Sequence, residues 1–362
     1  MISPGSYAAW HIPGPSSGAW TALTASPIGT RQAWLFLAGL HGLGITLWAS
    51  ATHRRIPMSR VYYALVAAGA ALALEGLIQA ASPHPHWLYG IWNVPGAGSH
   101  EAGIFGPYYN RDHYANILAL AAAIAAALLA RLLKGRGKVS ILDSPDFGRI
   151  LGLGGSLAII MAAGAAAGSR GGLAAMLTGM LIGGASLFVS RPKLTIALVA
   201  LAVLVFFGTG VPAAFDRMGD IDFENSRLIV WRDALRLFEF FPIFGCGIGA
   251  FAPAYWPYQR VVRFEYWPHA HNEYLQWLLE AGAIGLLLAV LWARGVWRAF
   301  PALVRSEDLR PALSGAVAAA VHAFVDCAPR IPANGAWTAV LLLCLTAGLG
   351  TRSTPASAAT EG

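Results

Sequence analysis

Charge is scarce in this sequence, and so is cysteine. Charged residues make up 12% of the 362-residue chain against 56% hydrophobic, and the mean hydropathy is +0.55. A soluble fold would have nowhere to hide that much apolar surface, which excludes an ordinary soluble domain and leaves a multi-span membrane protein. The three cysteines, Cys246, Cys327 and Cys344, lie far apart with no CxxC spacing, so neither a zinc site nor a disulfide framework is specified. No basic segment followed by a short apolar one opens the chain, so residues 1–30 do not read as a signal peptide. The formal charge of +7 would point to nucleic acid in a soluble protein; here Lys and Arg have the commoner use of setting orientation in a membrane.

Apolar runs long enough to cross a hydrocarbon core of about 30 Å fall near 32–50, 61–81, 113–132, 150–168, 172–190, 193–211, 274–297, 312–327 and 334–350. They predict an all-α, polytopic integral membrane protein with about nine transmembrane helices. Between them, "HRRIPMSR" (53–60), "RLLKGRGKVS" (131–140), "SRPK" (190–193) and "RGVWRAFPALVRSEDLR" (294–310) alternate with the other connections, as cytoplasmic loops do. The opposite, outer face then carries residues 1–31, the loop 82–112, the "GSRGG" turn (168–172), the long loop 212–273 and the "APRIPAN" turn (328–334).

The long outer loop opens with the carboxylate-rich "VPAAFDRMGDIDFEN". In "SRLIVWRDALRLFEFF" (226–241), apolar residues at 228, 229, 231, 235, 238 and 241 are interleaved with Arg227, Arg232 and Arg236, the spacing of a basic amphipathic helix with Asn225 or Ser226 as its N-cap. Such a helix beside a membrane lies in the headgroup region. In "PIFGCGIGAF" (242–251), alternating glycines allow a sharp turn or a close approach. The loop ends in His269, His271, Asn272 and Glu273, at the mouth of an apolar helix. Polar groups able to transfer protons are costly there unless they face water or partners.

The series "GPYYNRDHYA" (106–115), "GSRGGLAAMLTG" (168–179), "SRLIVWRDAL" (226–235), "PIFGCGIGAF" (242–251), "HAHNEYLQWLLEAGAIG" (269–285) and "HAFVDCAPRIPAN" (322–334) resembles the bacterial O-antigen ligase and polymerase family. His271-Asn272, nine residues, then Gly282-x-x-Gly285 is part of that likeness. The resemblance implies a multi-pass protein of the bacterial inner membrane, active at the periplasmic face. It would move a glycan from an undecaprenyl diphosphate carrier to a lipid A-core, a growing polysaccharide or a protein hydroxyl, with inversion and without a metal or other cofactor. On that basis the chain divides into a periplasmic N-terminal segment (1–31), an N-terminal bundle of about six helices (32–211), a large periplasmic catalytic loop (212–273), about three C-terminal helices (274–351) and a cytoplasmic tail (352–362). The family usually has more helices, so further ones are expected ahead of residue 1.

The residue types suit this chemistry. Guanidinium is permanently charged and grips phosphate oxygens in pairs, which makes Arg170 and Arg227 the natural clamp for a diphosphate leaving group. Histidine has an unperturbed pKa near 6.5 and suits a general base; His271 is the first choice and His269 the second. Two residues apart, the two would point in different directions. Asn272 could orient the base or a sugar hydroxyl. Arg111, Arg232 and Arg330 complete the substrate-binding set, against competing roles as topology anchors or lipid-facing surface. Trp256, Trp267, Trp277 and Trp292 read as an aromatic belt, with stacking on sugar rings open for Trp256 and Trp267. His322 and Asp326, four apart on one helix face, read as a structural pair.

Two other readings compete. Asp220-Ile-Asp222 has the DxD pattern that holds divalent cations, but two carboxylates in an acidic loop arise cheaply by chance and the arginines already supply positive charge. A transporter would concentrate charge near the midplane, with Glu75, His41, Glu280 and Asp326 as candidates, whereas here charge gathers in one outer loop and its neighbouring turns. The bilayer and lipid-linked glycans are the partners the resemblance implies. The sugar, the acceptor and any copolymerase that sets chain length stay open, and nucleic acid is not among the expected partners.

Overall fold

The computed structural model describes residues 24–52, 57–85, 87–93, 104–134, 142–190, 227–259 and 267–350. Over these the chain is helical, with no strand and only isolated bridges at Leu88–Trp92 and Phe105–Tyr108. The helices are α1 (Pro27–Thr52), α2 (Met58–Ala80), α3 (Arg111–Leu133), α4 (Phe147–Ala166), α5 (Arg170–Ser190), α6 (Arg227–Ala234), α7 (Arg236–Phe240), α8 (Phe251–Tyr255), α9 (Glu273–Arg305), α10 (Arg310–His322) and α11 (Pro332–Gly350). Among the described residues α2, α3, α4 and α9 are long and apolar enough to cross a membrane, and α11 is a shorter apolar helix. The expected span at 193–211 and the acidic turn with Asp216, Asp220, Asp222 and Glu224 lie outside the described residues, as do Asn225 and Ser226.

The chain forms two compact units, each drawn from separate parts of the sequence. The larger contains α2 to α5, α10, α11 and the segment 43–52 of α1. Its hub is α3, enclosed by α2, α4, α5 and α10. Alanine dominates α3, and small side chains let neighbouring helices approach closely without a hydrophobic drive from water. A Cβ on Gly179 of α5 would stand 2.7 Å from the Ala123 Cβ, so that contact admits nothing larger. Polar groups fasten both ends of the hub. The Asn334 amide donates to the His113 carbonyl (2.7 Å) and to Asn116 Oδ1 (2.9 Å). At the other end, Arg131 pairs with Asp308 (2.6 Å) and Lys134 with Glu307.

The smaller unit holds residues 24–42, 227–259, 267–301 and 323–327 of the described chain. Its core is built by Val230, Ala234, Leu237 and Phe241 with Cys246, Phe251, Tyr255 and Leu279. This corrects the expected amphipathic face. The stripe 230, 234, 237, 241 is the buried one, while Leu228 and Leu235 point outward, so of the anticipated set only Phe241 is fully buried. The helix expected over 226–241 is also divided in two, at Leu235.

The expected span at 274–297 is interrupted. Gly282 sits at φ 63° and ψ −157°, splitting α9 into segments 273–281 and 283–305. A break frees backbone groups that an apolar setting cannot leave unpaired. The glycine loop takes them up. Cys246 N–H donates to the Leu279 carbonyl (2.9 Å) and Gly247 N–H to that of Glu280 (3.0 Å), while Ala283 and Ile284 N–H donate to the carbonyls of Pro242 (2.8 Å) and Ile243 (3.2 Å). Gly245 and Gly282 face each other across this seam: a Cβ on Gly245 would lie 2.2 Å from the Glu280 carbonyl carbon, and one on Gly282 2.4 Å from the Ile243 oxygen. The alternating glycines therefore supply both a left-handed backbone and close approach.

The segment 312–327 also differs from expectation. Helix α10 has 13 residues and ends at His322, about 20 Å at 1.5 Å per residue and short of a full crossing. His322 and Asp326 consequently do not share a helix face. The chain leaves the helix at Ala323, and Asp326 serves a different partner.

Candidate functional site

The smaller unit gathers the loop before α9, the start of α6 and the segment Ala323–Asp326. Asn272 begins the arrangement as the N-cap of α9, its Oδ1 accepting from Leu275 N–H at 3.0 Å. Immediately before it, His271 has φ 50°, one of two non-glycine residues with positive φ among those described. A left-handed backbone at such a residue costs on the order of 1–2 kcal/mol and persists only where surroundings over-determine it. They do so here. The Trp231 indole N–H donates to the Ala270 carbonyl (2.8 Å), and Ala270 N–H donates to Gln276 Oε1 (2.9 Å). Glu273 N–H donates to the Ala323 carbonyl (2.8 Å).

This backbone aims the His271 ring at Asp326, whose side chain is completely buried, with Nδ1 3.1 Å from Oδ1. With Asp326 ionised, the carboxylate can only accept, and a neutral imidazole in that arrangement carries its proton on Nδ1 and its lone pair on Nε2. The Trp267 ring meets the imidazole edge-on at 5.7 Å and 89°. Arg227, the first residue of α6, donates from Nη1 to the Val325 carbonyl. The short segment Ala323–Asp326 thus holds Glu273 N–H, the Arg227 guanidinium and the His271 imidazole. Phe324 within it stacks obliquely on Tyr274 at 4.4 Å.

His269 takes another direction. Its Nδ1 lies 3.2 Å from the amide nitrogen of Gln276, which also donates to Glu280 Oε1 at 3.0 Å. That network braces the loop rather than reaching Asp326. Arg232 is exposed, with Nε 3.7 Å from Oδ1 of the buried Asp233. Burial, and then the Asp233 charge, push the Tyr255 phenol up.

Arg170, Arg111 and Arg330 belong to the larger unit. The structure accounts for the turn around Arg170 residue by residue. Gly168 closes α4 at φ 65°, Ser169 Oγ accepts from Gly172 N–H at 3.1 Å and caps α5, and Gly172 lies where a Cβ would be 2.4 Å from that of Ala115. Arg170 itself is exposed. Arg111 starts α3 behind the N-cap Asn110, whose Oδ1 accepts from Asp112 N–H at 2.7 Å. In the loop ahead of it burial pushes the Tyr108 phenol up to about 12. Arg330 ends a single helical turn, Ala328–Arg330, and is half-buried.

Residues 154–290 match the family profile described as O-Antigen ligase. That stretch of the chain therefore carries an O-antigen ligase domain. No curated protein and no solved structure matches the chain. The matched range takes in Arg170, Arg227, His269, His271 and Asn272, whereas Arg111, Arg330 and Asp326 lie outside it. An O-antigen ligase domain on apolar helices makes this a membrane protein of glycosyltransferase-like type. Sequence reasoning missed Asp326 as the partner of His271, and Trp231 and Gln276 as its braces. The available signal was an isolated carboxylate in the apolar run "AFVDCA", which the four-residue spacing from His322 turned toward the wrong histidine.

Proposed function

We propose that this protein transfers an oligo- or polysaccharide from undecaprenyl diphosphate to an acceptor hydroxyl at the periplasmic face of the bacterial inner membrane. The observation that carries the reading is the His271–Asp326 pair: an imidazole held in a strained backbone, with Nδ1 engaged by a buried carboxylate and Nε2 left as the basic nitrogen. The acceptor O–H gives its proton to His271 Nε2 while its oxygen attacks the anomeric carbon. The bond from that carbon to the diphosphate breaks, and the diphosphate leaves with the electron pair. Attack opposite the leaving group inverts the anomeric centre. Arg227 stabilises the growing charge on the diphosphate, an effect worth several kcal/mol when donors are preorganised, and Arg170 is the second arginine that the family resemblance assigns to that role. No metal takes part in this scheme. Within the same family, polysaccharide polymerisation is the second reading, favoured by the "GPYYNRDHYA" likeness; protein-directed transfer is the third.

The test is purified protein with an undecaprenyl diphosphate-linked glycan and candidate acceptors, with and without EDTA, scored for consumption of the lipid-linked donor. Consumption that survives EDTA and disappears in His271→Ala and Arg227→Ala supports the reading, and the product separates ligation from polymerisation. Activity retained by both variants overturns the site assignment.

A further inference from the structure

The outward side of the smaller unit is the part of the molecule that the proposed reaction leaves unexplained. Along α6 and α7, Leu228, Arg232 and Leu235 follow at spacings of four and three, so they share one face, opposite the buried stripe of Val230, Ala234 and Leu237. Leu228 is 62% exposed and Leu235 49%. The chain then enters the glycine loop, where Ile243 and Phe244 are 57% and 53% exposed. Water is a poor solvent for four large apolar side chains presented together.

Their position supplies the partner. The Ile243 carbonyl accepts from Ile284 N–H, and the Pro242 carbonyl accepts from Ala283 N–H. These bonds join the loop to the first residues of segment 283–305 of α9, where Leu286 to Leu288 and Val290 to Trp292 are all at least half exposed. That segment is about 35 Å long at 1.5 Å per residue, enough for the hydrocarbon core, and belongs to a helix apolar enough to cross it. The exposed apolar surface of the loop therefore adjoins the exposed apolar surface of that segment.

We propose that Leu228, Arg232, Leu235, Ile243 and Phe244 form a membrane-docking face. Phe244 and Ile243 enter the acyl region of the leaflet at the N-terminal side of α9. Helices α6 and α7 lie in the headgroup layer, and Arg232 reaches lipid phosphates. Apolar side chains inserted beside a snorkelling cation are the physics of an interfacial helix. Arg227, at the start of α6, is thereby held at headgroup depth. This inference rests on α9 crossing the bilayer and not on the chemistry assigned to His271, so either can fail alone.

The experiment uses the full chain in nanodiscs of phosphatidylcholine and phosphatidylglycerol, prepared without any polyprenyl donor. Phe244→Cys and Leu235→Cys are each labelled with bimane. The natural Cys246, Cys327 and Cys344 are buried, and wild-type protein labelled in parallel gives the background. Quenching is measured with lipids carrying a nitroxide near the glycerol end of the chain and, separately, with iodide in the water. A docked face loses more than about half of its emission to the lipid nitroxide at position 244, less at 235, and is protected from iodide at 244. Iodide quenching at both positions without lipid quenching overturns the proposal. Protection from both quenchers also overturns it, because the cover would then be protein, such as a second copy of the chain.

Discussion

Replacing Asp326 with Asn changes one atom and tests the pairing at the centre of the proposed site. The carboxylate accepts from His271 Nδ1 at 3.1 Å and is completely buried, so it both orients the ring and leaves Nε2 as the basic nitrogen. An amide of the same shape can turn its N–H₂ toward Nδ1, which moves the imidazole proton to Nε2 and blocks proton acceptance there. The loss expected is that of a positioned general base, about 10²–10⁴-fold in kcat, or roughly 3–5 kcal/mol at 1.36 kcal/mol per decade. The KM for the lipid-linked donor stays within about threefold, because Arg227 keeps its bond to the Val325 carbonyl. Donor consumption is followed at saturating acceptor, with monodispersity in detergent as the check on folding. The double variant His271→Ala/Asp326→Asn loses nothing beyond His271→Ala, since residues acting as a unit are not additive. An Asp326→Asn protein that keeps more than about a tenth of wild-type kcat while His271→Ala is inactive refutes the argument, for the positioned base would then work without its carboxylate.

Other perturbations follow from the same geometry. Gly282→Ala places a Cβ 2.4 Å from the Ile243 oxygen at φ 63°, so the seam between the glycine loop and α9 must open. The cost is at least about 1–2 kcal/mol from the left-handed backbone alone, and thermal unfolding in detergent shows it as a lowered midpoint. Trp231→Phe removes the donor to the Ala270 carbonyl and keeps an apolar ring. A loss of about 1 kcal/mol in stability is expected, with a larger fall in kcat than in the KM for donor, because Ala270 adjoins His271. The bond from Lys134, and the charges of Lys134, Arg310 and Arg131 beyond it, hold Glu307 below the usual carboxylate range. A depressed carboxylate contributes stability above its unfolded pKa and loses it as pH falls through the folded value, so the advantage of wild type over Glu307→Gln shrinks on acidification. Both partners are partly exposed, which keeps the neutral-pH difference below about 1 kcal/mol, read as a small shift in unfolding midpoint.

What the sequence reveals here divides along the range of the interactions. Helical class, membrane character and the special status of "HAHNEYLQ" are local properties: composition, apolar run length, and polar groups at the head of an apolar helix. The caps Asn272 and Ser169 are local features too, although the sequence reading assigns Asn272 an orienting role and does not single out Ser169. The orientation of α6 does not. Both of its faces carry apolar residues, and periodicity cannot say which one the unit buries; Val230, Ala234 and Leu237 are chosen by contact with Phe251 and Leu279, far along the chain. The break in α9 is half legible. Gly282 permits it, but only the arrival of residues 242–247 with four backbone hydrogen bonds makes it stable. Asp326 is the clearest case of a long-range choice. In sequence it stands four residues after one histidine and 55 residues after another, and helical spacing favours the near one. The chain ends α10 at His322 and spends residues 323–326 on the loop before α9 instead, holding Glu273 N–H, Arg227 and His271 in turn. A helix continued through 326 would have kept the local pair and lost all three contacts, so the termination of α10 is itself part of how the proposed base is built.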